Sequence, residues 1–206
     1  MKVQVEPDHY FDKSYDSKER IISYWYQTKE IIELNPEKVL EIGIGNGFVS
    51  QYLRNRKINI LTLDIDERLR PDISGSILDI PFADGSFDTI VSFEVLEHLP
   101  YEDVKKALAE IYRVSQKYAI LSMPDCTKVY RFCMSIPKIG IYSKLILLPR
   151  LKAPKHIFDG EHYWEIGKAG YPLDKIITDI QKTGFEVKKI YRPLENPYHR
   201  FFILKK

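Results

Sequence analysis

The sequence predicts an α/β protein with a doubly wound, seven-stranded, mostly parallel sheet and a final antiparallel strand. Short apolar runs typical of buried strands alternate with stretches of helical spacing, which is the pattern of βαβ units. Near residue 206, only "PLENP" separates "FEVKKIYR" from "YHRFFILKK". A parallel crossover needs a dozen or more residues, so these two runs should form an antiparallel hairpin.

The elements follow one another in a regular order. A polar, tyrosine-bearing arm leads to a helix in "KERIISYWYQTKEIIEL", which Asn35-Pro36 ends. Five strands are then expected, in "KVLEIG", "INILTLDI", "ISGSILDI", "FDTIVSFE" and "KYAILSMP". Helices are expected in "FVSQYLRNR", "YEDVKKALAEIYRVS" and "YPLDKIITDIQKT", before the closing hairpin.

One stretch has no strong assignment and an unusual charge. We expect a single domain over 1–206, with an arm and helix at 1–36 and a cap-like insert at about 125–160. The net charge is only +2, which gives no general reason to expect nucleic-acid binding, but the insert is locally basic. Three interpretations are open: a helical cap with solvated lysines, a lid for an acceptor with anionic and apolar parts, or peripheral contact with an anionic membrane through 137–156.

The composition favours a cytoplasmic protein. Cys126 and Cys133 fit neither a disulfide framework nor a CxxC metal site. The first residues are too polar for a signal peptide, and no run approaches 18 apolar residues.

The segment "VLEIGIGNG" carries the first chemical signal. Gly43, Gly45 and Gly47 follow an apolar strand and precede a helix, and their spacing differs from the G-x-G-x-x-G of dinucleotide sites. Glu41 stands two residues before the first glycine, where a carboxylate suits an ammonium group and repels a pyrophosphate. The plain alternative is a tight turn in which glycine only supplies positive φ.

A second acid closes the next strand. Asp64 ends "ILTLD", where a carboxylate can accept hydrogen bonds from both hydroxyls of a ribose. Asp66, in contrast, could cap the following turn. The expected ligand therefore contains a ribose and an amine, with no evident need for a phosphate site.

These residues resemble class I S-adenosylmethionine-dependent methyltransferases, of the group with small-molecule-type, methyltransferase-11-like cores. The resemblance rests on "VLEIGIGNG", "LTLDID", "DIPFADGSFDTIVSFEVLEHL", "ALAEIYRVS" and the closing hairpin, roughly residues 38 to 123 and 171 to 204. It implies a Rossmann-like methyltransferase fold and S-adenosylmethionine as cofactor.

The resemblance also implies a cofactor site. Contacts to the methionine part are implied for Glu41, for the turn Gly43, Ile44, Gly45, Asn46 and Gly47, and for Phe93 and Glu94; Asp64 would hold the ribose and Ile65 would pack on adenine. Tyr10, Phe11 and Tyr15 of the arm either form a lid over the cofactor, so that Tyr15 joins the site, or only pack.

The adenine end departs from the family pattern. Gly75-Ser76 stands where Gly-Asp is usual, so the acid expected to bind the adenine amine is absent. Ser76 with the Ile77 amide could replace it, or Asp79 could take over its role.

His98, in "FEVLEHLP", is the catalytic candidate. It could be a general base, a metal ligand with Glu94 and Glu97 as in some relatives with an E-x-x-E-H run, or a residue that only opens the next helix. The site prediction contains no resident metal. Only the fold could bring His156 or His162 close.

We therefore expect a methyltransferase acting on a small or lipid-like acceptor that carries an anionic group. Two alternatives are a catalytically silent cofactor-binding protein and an RNA methyltransferase. An NAD(P)-dependent oxidoreductase is disfavoured by the glycine spacing and the final hairpin.

Overall fold

The architecture is that of a computed structural model, which describes residues 3–138, 140–148 and 152–206. Seven strands form one sheet in the order β3-β2-β1-β4-β5-β9-β8. Strands β1 to β5 run parallel, whereas β9 pairs antiparallel with both β5 and β8. The mostly parallel sheet with a reversed hairpin is confirmed. Its strands are β1 Val39–Ile42, β2 Ile60–Asp64, β3 Ile73–Ser74, β4 Phe87–Phe93, β5 Ser115–Pro124, β8 Glu186–Tyr191 and β9 His199–Lys205.

Four helices lie where the spacing predicts them. In the first, Ser17 accepts a hydrogen bond from the Arg20 amide at 3.3 Å, and Asn35 ends the helix with φ of 48°. The helices are α1 Lys18–Leu34, α2 Phe48–Asn55, α3 Tyr101–Val114 and α4 Leu173–Gln181, and short 3₁₀ turns cover Pro7–Phe11, Glu67–Leu69 and Leu96–His98.

The parallel strands are buried, as expected for a sheet covered on both faces. A larger core cluster packs α3 and α4 on one face, and a smaller one packs α1 and α2 on the other. The third strand is shorter than predicted. "ISGSILDI" supplies only two ladder residues, because Ser76 and Asp79 then form an isolated bridge within a turn.

Of the three interpretations of the insert at about 125–160, the helical cap is wrong, because two strands lie there. Val129–Ile136 (β6) and Gly140–Leu147 (β7) pair as a separate antiparallel hairpin. Alternate residues of "VYRFCMSI" are apolar, a period of two that suits a strand. Arg150, within the basic insert, lies outside the described residues.

A buried ion pair ties the base of this hairpin to the main sheet. Asp125 is almost fully buried, and its Oδ2 accepts a hydrogen bond from Arg200 Nε at 2.6 Å. Arg192 lies 3.6 Å from the same carboxylate and donates to the Asp125 and Thr127 carbonyls. Within the described chain, every helix is too short or too polar to cross a bilayer.

Candidate active site

A cavity of about 230 Å³ opens at the carboxyl ends of β1, β2 and β4. Open α/β sheets bind ligands at this edge, because helix amino termini and strand ends converge there. Three further segments complete its wall: the amino-terminal arm, the stretch around His162, and the loop that enters β9. Of the site residues expected from the sequence, those lining it are Tyr15, Glu41, Gly43, Ile44, Gly45, Asn46, Asp64, Ile65, Ile77, Phe93, Glu94 and His98.

The glycine turn needs glycine at each of its three positions. Gly43, Gly45 and Gly47 have φ of 85°, 53° and 76°, in the left-handed region that other residues seldom adopt. A Cβ on Gly43 would also collide with the Val95 side chain. Gly47 is the N-cap of α2 and is not among the described residues that line the cavity.

Asp64 joins the ends of two strands. Its Oδ2 accepts a hydrogen bond from the Ile44 amide and its Oδ1 one from the Asp66 amide, both at 2.9 Å. Burial raises the pKa of Asp64, while these amides partly offset that effect. A carboxylate has about four lone-pair sites, so two remain for ligand hydroxyls. Asp66 caps the following turn by accepting from the Arg68 amide at 3.0 Å.

Glu41 is buried, and its carboxyl group is only partly hydrogen-bonded. The side chain is 3% exposed, and its Oε2 has no hydrogen-bond partner among the described residues. Burial raises the pKa of Glu41 to about 8, although the Ser50 hydrogen bonds and the charge of Arg54 oppose that shift. A buried carboxyl with an unpartnered oxygen at a cavity wall is chemically suited to receive a cationic group.

The amino-terminal arm lies against the glycine turn. Asn46 Nδ2 donates to Asp16 at 3.0 Å, and its Oδ1 accepts from Tyr24 at 3.2 Å. The ring of Tyr10 comes within 3.8 Å of the position that a Cβ on Gly45 would occupy.

Of the three aromatic residues considered as a lid, two line the cavity and one does not. Tyr10 and Tyr15 line the cavity and pack edge to face with ring centroids 5.4 Å apart. Phe11, in contrast, is 65% exposed and points elsewhere.

At the expected adenine end, the structure brings Ile65, Gly75 and Ile77 to the cavity. Ser76 and Asp79 are not among the described residues that line it. The Ser76 hydroxyl accepts from the Leu78 amide at 3.2 Å, and the Ser76 carbonyl accepts from the Asp79 amide at 3.1 Å. These bonds use the Ser76 hydroxyl and carbonyl and the Asp79 amide within the local turn; the Asp79 carboxylate takes no part in them.

Glu94 follows β4 in an uncommon backbone conformation. Its φ is 53°, a left-handed value that costs energy for any residue except glycine and clusters at functional sites. Its Oε1 has no described partner, and its Oε2 lies 3.6 Å from His199 Nε2. The conformation aims a carboxylate into the part of the cavity beside Phe93.

His98 lies beside a second imidazole. Its Nδ1 is 2.9 Å from Gln4 Oε1 and 3.1 Å from the Glu161 carbonyl, and both are acceptors. These contacts select the tautomer protonated on Nδ1 and leave the Nε2 lone pair free. Burial and the nearby His162 lower the pKa of His98 to about 4, so the ring is neutral at pH 7.

The same region offers a ligand set for a metal ion. Among the described residues, Glu97, His98 and His162 each present one potential ligand atom, and these atoms lie within 4.8 Å of one another. Glu97 is fully buried and neither carboxylate oxygen has a described partner; burial and the nearby Glu94 raise its pKa. Two imidazoles and one carboxylate fit a divalent transition ion. The sequence suggested His98 with Glu94 and Glu97 as ligands, whereas this set contains His162 in place of Glu94.

Several residues of this wall have no signal in the sequence. Tyr198, just before β9, and His199, its first residue, reach the cavity about a hundred residues after His98. His162 Nδ1 lies 3.1 Å from Glu165 Oε1, which also accepts from the Tyr198 hydroxyl at 2.6 Å. Only the fold brings these groups together.

The sheet order and the strand-end cavity together define a Rossmann-like fold of the methyltransferase type. A family model described as "Methyltransferase domain" matches residues 40–123. The demethylmenaquinone methyltransferase of Thermotoga maritima is 32% identical over 159 residues, which are 62% of this chain and 68% of that protein. The ribosomal RNA small subunit methyltransferase A of Mesomycoplasma hyopneumoniae is 23% identical over 81% of this chain and 66% of its own.

The chain belongs to the class I S-adenosylmethionine-dependent methyltransferases, whose cofactor is S-adenosylmethionine. The chain spans 66%, 41% and 57% of the length of the first three curated relatives that it matches. The 1,6-didemethyltoxoflavin-N1-methyltransferase of Burkholderia thailandensis, solved with bound S-adenosylhomocysteine, shares the fold. Its TM-score is 0.61 at 12% identity, over 97% of this chain and 84% of that one.

Proposed function

We propose that this protein transfers a methyl group from S-adenosylmethionine to a small or lipid-like acceptor. The observation that carries the proposal is the meeting of Glu41, Asp64 and the positive-φ glycine turn in one strand-end cavity. The unpartnered Glu41 oxygen suits the ammonium of the methionine moiety, and the remaining lone pairs of Asp64 suit the ribose hydroxyls.

The other parts of the cofactor are assigned by position. Ile65 and Ile77 offer apolar surface for the adenine ring. The glycine turn, at Gly43, Ile44, Gly45 and Asn46, supports the methionine part together with Phe93 and Glu94, and Tyr15 closes the site from the arm. Ser76 and Asp79 are left out of this assignment, because neither is among the described residues that line the cavity.

When bound, the cofactor supplies a methyl group on a sulfonium, and transfer leaves S-adenosylhomocysteine and releases one proton from an O–H, N–H or C–H acceptor. The protein therefore has to align the acceptor, exclude water and accept that proton. The arm and the loop before β9 wall the cavity beside Glu94 and so supply the enclosure.

His98 is the proposed proton acceptor. Its Nε2 lone pair is free because Gln4 and the Glu161 carbonyl occupy Nδ1. The ring lines the cavity, as Glu94 does, beyond the end of β4. In the sheet, β1 separates β4 from β2, the strand that ends at Asp64. If the histidine acts this way, His98→Asn should lower kcat and leave the affinity for S-adenosylmethionine unchanged.

A specific observation favours a second role for the same histidine. The fully buried Glu97 carboxylate has no described partner, and it lies with His98 and His162 in one ligand set. A divalent cation held there would bind an acceptor oxygen and lower its pKa. Treatment with a chelator decides between the roles: a base needs no metal, whereas a metal site loses activity and regains it with Mn²⁺ or Mg²⁺.

The acceptor class is inferred from composition and relatives. The apolar and cationic insert, which is followed directly by the cavity residues Glu161 and His162, suits an acceptor with a hydrophobic part and an anionic group. The name of the Thermotoga maritima relative gives it a lipid-like quinone acceptor, and that relative has the higher identity of the two quoted. The name of the Mesomycoplasma hyopneumoniae relative gives it ribosomal RNA, which keeps RNA as the alternative acceptor.

The decisive experiment incubates the protein with methyl-labelled S-adenosylmethionine and separated lipid, small-molecule and RNA fractions of a cell extract. Label in the lipid or small-molecule fraction supports the proposal, and label in RNA replaces it with the alternative. Tight cofactor binding without any labelled fraction indicates a catalytically silent binder. Asp64→Ala should lower labelling at sub-saturating S-adenosylmethionine by up to about 50-fold, and Asp79→Ala, outside the cavity, is the matched control.

A further inference from the structure

The hairpin of β6 and β7 presents apolar side chains to solvent. In an antiparallel pair, directly opposed residues share a face and alternate residues repeat it. One face of this hairpin is therefore rich in aromatic and aliphatic groups, which are between 42% and 62% exposed. We call this set the apolar face; it comprises Tyr130, Phe132, Met134, Tyr142 and Ile146.

The segment that forms the hairpin is rich in cations and contains no acidic residue. Between Cys126 and Phe158 the sequence has seven Lys or Arg residues and no Asp or Glu. Lys144 lies on the apolar face itself, opposite Phe132, and Lys128 immediately precedes β6. Soluble monomers seldom expose a contiguous apolar patch of this kind unless it contacts a partner. The seven cations are Lys128, Arg131, Lys138, Lys144, Arg150, Lys152 and Lys155.

We propose that this hairpin docks on the surface of a lipid bilayer that contains anionic lipids. Aromatic, methionine and isoleucine side chains enter the boundary between headgroups and acyl chains, where amphipathic surfaces gain burial. The lysine and arginine groups meet the negative surface potential of the same leaflet. The complementarity is therefore double, apolar to apolar and cationic to anionic.

A second copy of the chain fits this surface poorly. A two-fold interface places a patch against the same patch of its partner, so Lys144 on the apolar face would lie close to its own copy, and the segment from Cys126 to Phe158 supplies no carboxylate to compensate it. Single-stranded RNA fits less well than lipid, because bases stack on flat rings. Met134 and Ile146 offer none, and neither does the neighbouring Ile157, which is 82% exposed.

Docking at this place would hold the cavity near the bilayer. The hairpin follows directly from β5, and the Asp125 ion pair with Arg200 fixes its base beside the loop that carries Tyr198 into the cavity. The inference goes beyond the proposed methyl transfer. Vesicle binding is measured without turnover, so either proposal can fail while the other holds.

Co-sedimentation with vesicles tests the proposal on the intact protein. Binding to phosphatidylcholine vesicles containing about 30% phosphatidylglycerol should exceed binding to pure phosphatidylcholine by at least about tenfold, and should fall with added salt. Equal binding to both compositions, or no binding to either, overturns it.

Two variants separate the apolar and cationic contributions. Phe132→Ser with Met134→Ser should lower the partition coefficient at least about tenfold, through lost apolar burial. Lys128→Gln with Lys144→Gln should lower it by about fivefold for each cation. Ile21→Ser on α1 is the control, because Ile21 is 42% exposed, like Phe132, and should bind as the wild type does. Unchanged melting and unchanged S-adenosylmethionine affinity show that each variant is folded.

A tryptophan probe reports insertion directly. Phe132→Trp should show a blue-shifted emission on anionic vesicles, and Tyr52→Trp on α2 should not. A partition coefficient that the serine variants leave unchanged contradicts the proposal. A hairpin-dependent dimer without vesicles, seen by sedimentation velocity, or tighter binding to single-stranded RNA than to vesicles, also overturns it.

Discussion

The two sides of the cavity are built in different ways. The proposed cofactor side is centred on one continuous stretch, β1 to β2, which supplies the glycine turn and two carboxylates at strand ends. The proposed acceptor side gathers side chains from distant places: His98 after β4, His162 beyond the insert, and Tyr198 and His199 at the start of β9. One side is thus fixed by local backbone geometry, and the other by tertiary packing.

The largest effect is expected where backbone geometry leaves no freedom. Gly43→Ala forces a Cβ into φ of 85° and against Val95, which should cost about 2–4 kcal/mol of unfolding free energy. Gly170→Ala is the matched control, since its φ is 89° and nothing lies within 4 Å of the added atom. Thermal or urea unfolding measures both. Equal losses would show that the collision contributes nothing.

Asp64→Ala tests the cofactor side directly. The variant loses the acceptor for ribose hydroxyls and the bonds to the Ile44 and Asp66 amides, so affinity for S-adenosylmethionine should fall about 50-fold, or about 2.3 kcal/mol. Calorimetric titration gives the value. Unchanged affinity would remove Asp64 from the site.

Glu41→Gln tests the proposed cofactor side through the pH dependence of cofactor affinity. Burial raises the pKa of Glu41 to about 8 in the free protein, whereas an ammonium beside it favours the carboxylate and lowers that pKa. Cofactor affinity should therefore rise with pH up to about 8, by at most about tenfold per pH unit, and level off above it. The glutamine variant should lack this contribution. Parallel pH profiles for both proteins would contradict the role.

Tyr10→Ala should have the smallest effect, because the arm contributes a wall and no charge. Loss of the ring beside Gly45 should weaken cofactor binding about threefold. Phe11→Ala, one residue later and largely exposed, should change nothing. The same titration compares the two, and a larger effect from Phe11 would reverse the assignment of the arm.

Predictability from sequence follows the same division. The glycine turn, Glu41 and Asp64 are close in the chain, so spacing and strand ends are enough to bring them together. The parallel sheet and its closing hairpin also follow from periodicity and loop length. Ser76 and Asp79 were expected near adenine from position in a family pattern, yet a local turn uses their groups.

The structure of the insert and the residues of the proposed acceptor side could not be predicted from spacing, periodicity or loop length. A composition of lysine with isoleucine and leucine suggested a helical cap, whereas the alternation in "VYRFCMSI" carried the strand signal. His162, Tyr198 and His199 have no fixed spacing to His98, because packing of α4, β8 and β9 determines where they lie.

The bonds between the arm and the glycine turn have a kinetic consequence. Asn46 is held by Asp16 and Tyr24, and Arg68 pairs with Glu6 at 2.8 Å, so the arm is fastened on both sides of the cavity. In the proposed site, spent cofactor would leave only after these bonds open. The opening rate of the arm would then set a ceiling on turnover, whatever the speed of the chemical step.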